Sequence, residues 1–266
     1  VSNCGFGQTG PYRPFKSWGP IVQAVSGLTH TSGLAGHEPA GWGYSYMDHG
    51  GAHMMAIALL AALFHRQRTG EGQWVDLACI EAGIAMAGPT TIDASVNGRD
   101  LRAPGAIDSN RSTSPAMAPH GIYPAAGDDA WVAVACRNDA DWAALAAVVG
   151  NGWADDASLA TVAGRVAAQD RLDAELTAWT GSRDRDEAVA ALHAAGLPAA
   201  PVKRPPERCD DEPDLAAWGL WPTVTHAKHG AVRVDGQPVH GTGTDWVAER
   251  AGPVLGQDNE RVFTEV

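Results

Sequence analysis

The sequence is poor in positive charge. Among its 266 residues, 19 Lys and Arg stand against 31 Asp and Glu, and the net charge is −12. Nucleic acids and anionic membrane surfaces are bound through clustered basic side chains, which this chain lacks, so neither partner is expected. It also lacks a recognisable signal peptide and an apolar run of the ~20 residues that a membrane-spanning helix requires. We therefore expect a cytoplasmic protein.

Cysteine is scarce as well, and its spacing argues against a metal centre. No CxxC pair occurs, and the cysteines are far apart, which is typical of free thiols in a reducing compartment. They are Cys4, Cys79, Cys136 and Cys209. His49 and His53 are four residues apart, but a zinc-protease helix would carry Glu in place of Gly50, and no third ligand is indicated. We expect no bound metal.

The chain is long enough to bury a large core, since 45% of its residues are hydrophobic. Alternating helix-like and strand-like segments near the N-terminus predict an α/β fold with a parallel sheet, and a later hairpin followed by helices predicts a small α+β domain. The predicted parts are residues 1–105 for part of the large domain, 106–119 for a linker or active-site loop, 120–205 for the small domain and 206–266 for a return to the large domain.

Local signals place the individual elements. A strand is predicted at 74–79 and one helix of small residues at 81–97, and two short strands within 121–136 are joined by a Gly-Asp-Asp turn. Capping residues and glycine or proline stops predict helices at 139–149, 163–179 and 185–195. Asp235-Gly236 is predicted as the turn of a C-terminal hairpin.

One acidic side chain, Asp48, stands at the start of an almost wholly apolar segment. From Gly51 to Phe64 only His53 is polar, which predicts a core helix of about 15 residues. A helix N-terminus stabilises negative charge, and the Gly50-Gly51 pair lets the backbone approach a ligand closely. By itself, an Asp in this place is most often an ordinary helix cap.

Three neighbouring patterns each have two interpretations. GFGQTG at residues 5–10 suits a phosphate cradle but lacks GxGxxG spacing and a P-loop lysine, so a tight strand-to-loop turn fits as well. The basic group HRQR at 65–68 fits either phosphates or the C-terminal dipole of the apolar helix. Trp42, Tyr44 and Tyr46 alternate as on one face of a strand, and they fit either an acyl pocket or a core.

Several segments together carry a family likeness: GFGQTGPY (5–12), GPIVQAVSGL (19–28), the helix that begins at Asp48 and HRQRTGEGQWVDL (65–77). They closely resemble the class III CoA-transferases of the CaiB/BaiF type, typified by formyl-CoA transferase and carnitine CoA-transferase. The resemblance continues through APHGIYPAAGDDAWVAVA, AAGLPAAPV and the final hairpin, so it covers essentially the whole chain. It implies an α/β fold with a Rossmann-like parallel-sheet large domain, incomplete here at its N-terminus, and a small α+β domain.

The resemblance also implies a mechanism. The aspartate at the position of Asp48 attacks the thioester of an acyl-CoA to form a mixed anhydride, and the released thiolate returns to give an aspartyl-CoA thioester that a carboxylate acceptor then takes over. CoA is thus a substrate, and no permanently bound cofactor is expected. The N–H groups of Gly50 and Gly51 are candidate oxyanion donors. Candidate residues of the substrate pocket are Trp18, Tyr44, Tyr46, His49 and Met117.

Two points of the family pattern differ in this chain. In the α-methylacyl-CoA racemases, which share the fold, a His aligns with Trp18 and a Glu lies near Asn138; neither Trp nor Asn serves as an acid or base, which favours a transferase. The N-terminal part of the family fold is also absent from this sequence. We therefore expect an interlocked homodimer, a complementing N-terminal segment or a non-catalytic partner subunit. Residues 112–118 take the place of the family's glycine-rich active-site loop.

Overall fold

A computed structural model describes residues 1–33, 37–100, 102 and 110–265. The part of the predicted linker at 106–109 lies outside the described residues. The helices are α1 Gly19–Val25, α2 Tyr46–Thr69, α3 Cys79–Met86, α4 Gly88–Asn97, α5 Asp139–Val149, α6 Val162–Ala167, α7 Gln169–Gly181, α8 Arg185–Ala194, α9 Pro205–Asp210, α10 Pro213–Ala217 and α11 Asn259–Thr264. The strands are β1 Ser2–Cys4, β2 Asp76–Ala78, β3 Ser112–Thr113, β4 Ala116–Met117, β5 His120–Pro124, β6 Trp131–Ala135, β7 Ala199–Pro201, β8 Thr223–His226 and β9 Gly230–Arg233.

The chain divides into two compact units. The first comprises Val1–Gly121, Ala135–Asp139 and Asp156–Gln169, and the second Ile122–Val134, Ala140–Asp155 and Asp170–Val266. The domain boundaries drawn from the sequence stay a prediction.

In the first unit, three helices pack around a small core beside a parallel strand pair. β1 pairs with β2 in parallel, with Ser2 opposite Asp76, as the alternating pattern predicts. α1, α2 and α3 contact one another, and their shared core is an apolar cluster in which Val22 is 2% and Met47 0% exposed. Burying these side chains stabilises the unit by about 1.5–3 kcal/mol each, which fixes the start of α2 against α1.

Small residues allow these helices to approach closely. A Cβ added to Gly51 of α2 would lie 2.6 Å from the sulfur of Cys79 in α3. A Cβ on Gly83 would lie 2.6 Å from Ser26, just beyond α1. Both contacts are shorter than side chains tolerate, so glycine is required at the two crossing points.

The prediction that α2 is a buried core helix is wrong. The helix has 24 residues, and within Tyr46–Thr69, all of which the structure describes, the buried residues are Met47, Gly51 and Met55. Ile57, Leu60 and Phe64 are 69%, 65% and 60% exposed. These three side chains, spaced i, i+3 and i+7, form an apolar stripe along one face. The prediction failed because α1 and α3 cover only the N-terminal turns of α2. The apolar composition of a helix indicates that it has a face to bury, but it does not show which neighbour buries that face.

α2 is also long and apolar enough to cross a bilayer. Within the part of the chain that the structure describes, it is the one helix that meets this criterion of length and composition. A single match of this kind is weak evidence, because helices that pack in soluble proteins pass the same test.

The second unit contains most of the predicted small α+β domain. Its sheet has the order β5-β6-β7, with β6 and β7 antiparallel and Val132 opposite Pro201. The predicted strands within 121–136 and the predicted helix at 139–149 are confirmed. Leu176 and Leu192, on α7 and α8, are completely buried. Arg185 of α8 forms an ion pair with Glu207 of α9 at 2.9 Å. The hydrogen bond from the Arg185 side chain, together with a second from the Arg204 backbone N–H, lowers the pKa of Glu207 to about 2.

Three local predictions are corrected. The helix predicted at 81–97 is two helices, α3 and α4, with the break at Ala87. The helix predicted at 163–179 is likewise divided into α6 and α7. The C-terminal hairpin exists, but its turn lies between His226 and Gly230 and not at Asp235-Gly236. Gly230 has a φ of +71°, so a glycine next to the observed turn meets the conformational requirement that the Asp-Gly pair suggested.

Candidate functional site

Asp48 is the third residue of α2 and is exposed to solvent. The helix begins after Ser45, whose carbonyl accepts a hydrogen bond from the Asp48 N–H at 3.0 Å. The carboxylate therefore lies in the first turn, where the helix dipole favours a negative charge. This confirms the predicted place of Asp48 at a helix N-terminus, and the residue is exposed there.

The carboxylate of Asp48 also lies against the first residue of α1. A Cβ added to Gly19 would be 2.4 Å from Oδ2 of Asp48 and 3.1 Å from its Cγ. Gly19 follows Trp18, whose carbonyl accepts the N–H groups of Ile21 and Val22 at 2.9 and 3.1 Å. The predicted pocket residue Trp18 is 76% exposed, and it thus borders the Asp48 site through its neighbour in sequence.

The N–H groups of Gly50 and Gly51 are not available as oxyanion donors in this structure. Both glycines lie beyond the first turn of α2, where an N–H group donates to the carbonyl four residues earlier. The sequence predicts a helix start near Asp48 and the Gly-Gly pair, whereas the helix begins at Tyr46. Gly51 instead allows the close contact with Cys79 that holds α2 against α3.

Aromatic side chains surround the start of α2, but they do not form a strand. Residues 41–45 have no regular structure, and Tyr46 is helical. Trp42 meets Tyr46 edge to face at 5.0 Å between ring centroids, and Tyr44 stacks on His49 at 4.9 Å. The Tyr44 hydroxyl and His49 Nε2 are 2.8 Å apart. The strand interpretation of this alternation is wrong, and the side chains are exposed around the turn that carries Asp48.

A buried thiol lies beneath this turn, and sequence reasoning missed it. Burial raises the pKa of Cys79, and the nearby carboxylate of Asp48 raises it further. The thiol donates a hydrogen bond to Oδ1 of Asn3 at 3.1 Å. A signal was present in the sequence: Cys79 directly follows β2, and the carboxyl ends of parallel strands are where sites form in α/β folds.

The glycine loop GFGQTG is a tight turn that is fastened to β2. Gly7 has a φ of +77°, and the N–H of Gln8 donates to Oδ2 of Asp76 at 2.9 Å. The Gln8 side-chain amide donates to Ser2 Oγ at 2.7 Å. A carboxylate of β2 therefore already accepts from this loop N–H, which favours the turn interpretation over the phosphate cradle.

The contacts described for the remaining predicted residues do not include Asp48. Met117 lies in β4, and its carbonyl is 3.5 Å from the side-chain amide of Gln169. In the segment compared with the family's active-site loop, β3 and β4 form a small antiparallel pair, and Ser112 Oγ donates to the Pro115 carbonyl. Arg66 and Arg68 of the basic group lie in the last turn of α2, which is followed by Gly70 as C-cap with a φ of +79°, as the helix-dipole interpretation predicts.

No group of three His, Cys, Asp or Glu side chains suited to a metal ion occurs among the residues that the structure describes. An open cavity of about 660 Å³ lies in the first unit beside α4, where its lining includes His30, Thr91 and Arg99. Its lining includes none of the residues predicted for the site.

Comparison with known proteins finds relatives along nearly the whole chain. A family model described as CoA-transferase family III matches residues 1–259. Succinyl-CoA–D-citramalate CoA-transferase of Chloroflexus aurantiacus is 31% identical, and the match covers 98% of this chain and 63% of the relative. Succinate–glutarate CoA-transferase of Agrobacterium fabrum is 29% identical, with 98% and 64% covered.

A solved structure shows the same α/β fold. The crystal structure of a CAIB/BAIF family protein from Brucella suis matches with a TM-score of 0.81 at 25% identity, covering 98% of this chain and 66% of that one. The chain thus spans somewhat less than two thirds of the length of the relatives it matches.

Proposed function

This chain belongs to CoA-transferase family III, and we propose that the protein moves CoA between an acyl-CoA and a carboxylic acid with Asp48 as the covalent nucleophile. The observation that carries the proposal is the Asp48 carboxylate itself, exposed in the first turn of α2. A nucleophilic carboxylate has to be ionised and accessible, and the helix N-terminus supports the first condition.

The proposed reaction uses the carboxylate twice. Asp48 attacks the thioester carbonyl, the C–S bond breaks, and CoA leaves as a thiolate from a mixed anhydride. The thiolate then attacks the aspartyl carbonyl, which releases the donor's carboxylate and leaves CoA as a thioester on Asp48. The acceptor carboxylate attacks that thioester, and the second anhydride is cleaved at the acceptor's carbonyl by the returning thiolate. Asp48 is regenerated as a carboxylate, so no proton or redox partner is consumed.

The aromatic side chains beside Asp48 are the proposed contacts for the acyl groups. Trp18, Tyr44 and Tyr46 are exposed, and His49 is held by its hydrogen bond to Tyr44. Flat apolar surface with a few polar atoms suits short acyl chains that carry a second polar group. Met117, for which no described contact reaches Asp48, stays a predicted pocket residue.

Dicarboxylic acids are the proposed substrate class. The names of the Chloroflexus and Agrobacterium relatives contain succinyl-CoA with D-citramalate and succinate with glutarate. We expect the complete polypeptide that carries this chain to transfer CoA from succinyl-CoA to at least one dicarboxylate. Chromatography of the acyl-CoA products measures this transfer. Acetate and benzoate serve as monocarboxylate controls. Transfer to no acid in such a screen of donors and acceptors would contradict the proposal.

The same assay separates the transferase from an isomerase. A racemase-like enzyme would exchange the Cα hydrogen of a 2-methylacyl-CoA with deuterium from D₂O without any acceptor acid. Trp18, at the start of α1 beside the Asp48 site, offers no proton-transferring group there. We therefore expect acceptor-dependent transfer and no exchange at Cα.

Several wider features belong to the proposal. The parallel β1–β2 pair supports a Rossmann-like sheet in the large domain, and the apolar stripe on α2 supports either an interlocked homodimer or a complementing N-terminal segment. CoA acts as a substrate, with no resident cofactor. A cytoplasmic location and closure of residues 112–118 over the site complete the proposal.

A further inference from the structure

We infer that Gly19 is a positioning residue for the reaction, because its lack of a side chain creates the space that the Asp48 carboxylate occupies. The inference rests on the proposed function, since it concerns how the proposed nucleophile is held. The ideal Cβ position on Gly19 is 2.4 Å from Oδ2 and 3.1 Å from Cγ of Asp48. Atoms cannot share that space, so an alanine methyl and this orientation of the carboxylate exclude each other.

The surrounding backbone offers little room for relief. The same Cβ position is 3.2 Å from the Cα of Ser45, the residue before α2. Gly19 itself is buried, and the helices that carry the two groups are joined through Val22 and Met47, which are 2% and 0% exposed. Moving α1 away from α2 would open this core, whereas turning the short Asp48 side chain would not. The methyl is therefore expected to displace the carboxylate and leave the helices in place.

Displacement of the nucleophile should affect the chemical step more than substrate binding. Relief of a contact at 2.4 Å requires the oxygen to move by about 1 Å, and a shift of that size costs about 10²-fold in rate when a reacting group is misplaced. The acyl contacts proposed above are the side chains of Trp18, Tyr44, Tyr46 and His49, and Gly19 has no side chain to add to them. The expected signature is thus a lower kcat with a nearly unchanged KM.

The chain contains a closely matched control. α4 begins with Gly88-Pro89, as α1 begins with Gly19-Pro20. No heavy atom lies within 4 Å of an ideal Cβ on Gly88. An alanine before proline carries the same backbone restriction in both places. Gly88→Ala therefore reports the cost of the substitution without the contact to a carboxylate.

The test compares wild type, Gly19→Ala and Gly88→Ala in the complete polypeptide, with succinyl-CoA as donor. We expect kcat to fall by about 10²-fold in Gly19→Ala, with KM for the donor and the melting temperature close to those of Gly88→Ala. Rates are expressed per folded molecule from the circular dichroism signal, so a partly unfolded preparation can still be compared. Equal kcat in the two variants, or a Gly19→Ala defect confined to KM, would overturn the inference and leave the proposed function intact. Wild type that transfers no CoA would overturn the function and the inference together.

Discussion

Replacing Asp48 with asparagine is expected to abolish CoA transfer. The variant keeps the size of the side chain, and the first turn of α2 keeps its backbone hydrogen bond from residue 48 to the Ser45 carbonyl. It loses the anionic oxygen that forms the anhydride, and a neutral amide is a very poor nucleophile. Loss of a covalent nucleophile lowers kcat by ~10³-fold or more in enzymes that depend on one. The measurement is the rate of acyl-CoA formation from succinyl-CoA and the preferred acceptor.

Glu81→Gln is the matched control for this variant. Glu81 is the third residue of α3, as Asp48 is the third residue of α2, and it is also exposed. Each substitution removes one negative charge from the first turn of a helix, which changes stability by about 0.3–1 kcal/mol. We expect Glu81→Gln to transfer CoA at nearly the wild-type rate. Comparable transfer by Asp48→Asn would remove Asp48 from the mechanism. Asp48→Ala, which cannot revert by deamidation, identifies any residual rate that arises from Asn hydrolysis.

Charging the apolar stripe on α2 is expected to prevent assembly. Ile57 and Leu60 are 69% and 65% exposed, and the buried residues of the helix lie near its N-terminal end. Full burial of two such side chains is worth about 3–6 kcal/mol, or 10²–10⁴-fold in a dissociation constant. The double variant Ile57→Glu/Leu60→Glu should therefore dissociate at micromolar concentration if the stripe contacts a second polypeptide. Analytical ultracentrifugation of the wild type and the variant measures the change.

The control for this experiment is Val96→Glu. Val96 on α4 is 74% exposed and lies outside the stripe, so its replacement should leave the sedimentation of the protein unchanged. Mass spectrometry of the wild-type assembly shows whether it contains two copies of one polypeptide or a complementing segment. If the double variant sediments like the wild type, the stripe is not an interface. Recovery of the wild-type protein in the membrane fraction would indicate that the stripe on α2 contacts lipid. This result would contradict the proposed contact with a second polypeptide.

The location of Asp48 could be predicted from sequence because it depends on local signals. An acid followed by two glycines and an apolar run indicates a helix start within a few residues, and α2 does begin at Tyr46. The exact start could not be predicted, and a difference of a few residues decides whether the N–H groups of Gly50 and Gly51 are free to act as donors. Free N–H groups exist in the first turn only, so the function of a backbone donor depends on the helix boundary.

The contact between Gly19 and Asp48 could not be predicted because it joins two helices that are distant in sequence. It depends on how α1 packs against α2, which is decided by buried side chains such as Val22 and Met47. Similarly, the alternation of Trp42, Tyr44 and Tyr46 suits a strand locally, but the structure places Tyr46 in a helix. Local periodicity contains no information about which neighbour buries a segment, and for that reason the exposure of α2 was also missed.

The central claim is that Asp48 becomes covalently bound to the substrate, and trapping of the intermediate tests it most directly. The complete polypeptide is incubated with succinyl-CoA in the absence of an acceptor, treated with hydroxylamine or borohydride, digested and analysed by peptide mass spectrometry. We expect a hydroxamate or a reduced side chain at Asp48 that requires the acyl-CoA and is absent from Asp48→Asn. Modification at another residue, or CoA transfer with no modification at Asp48, would contradict it.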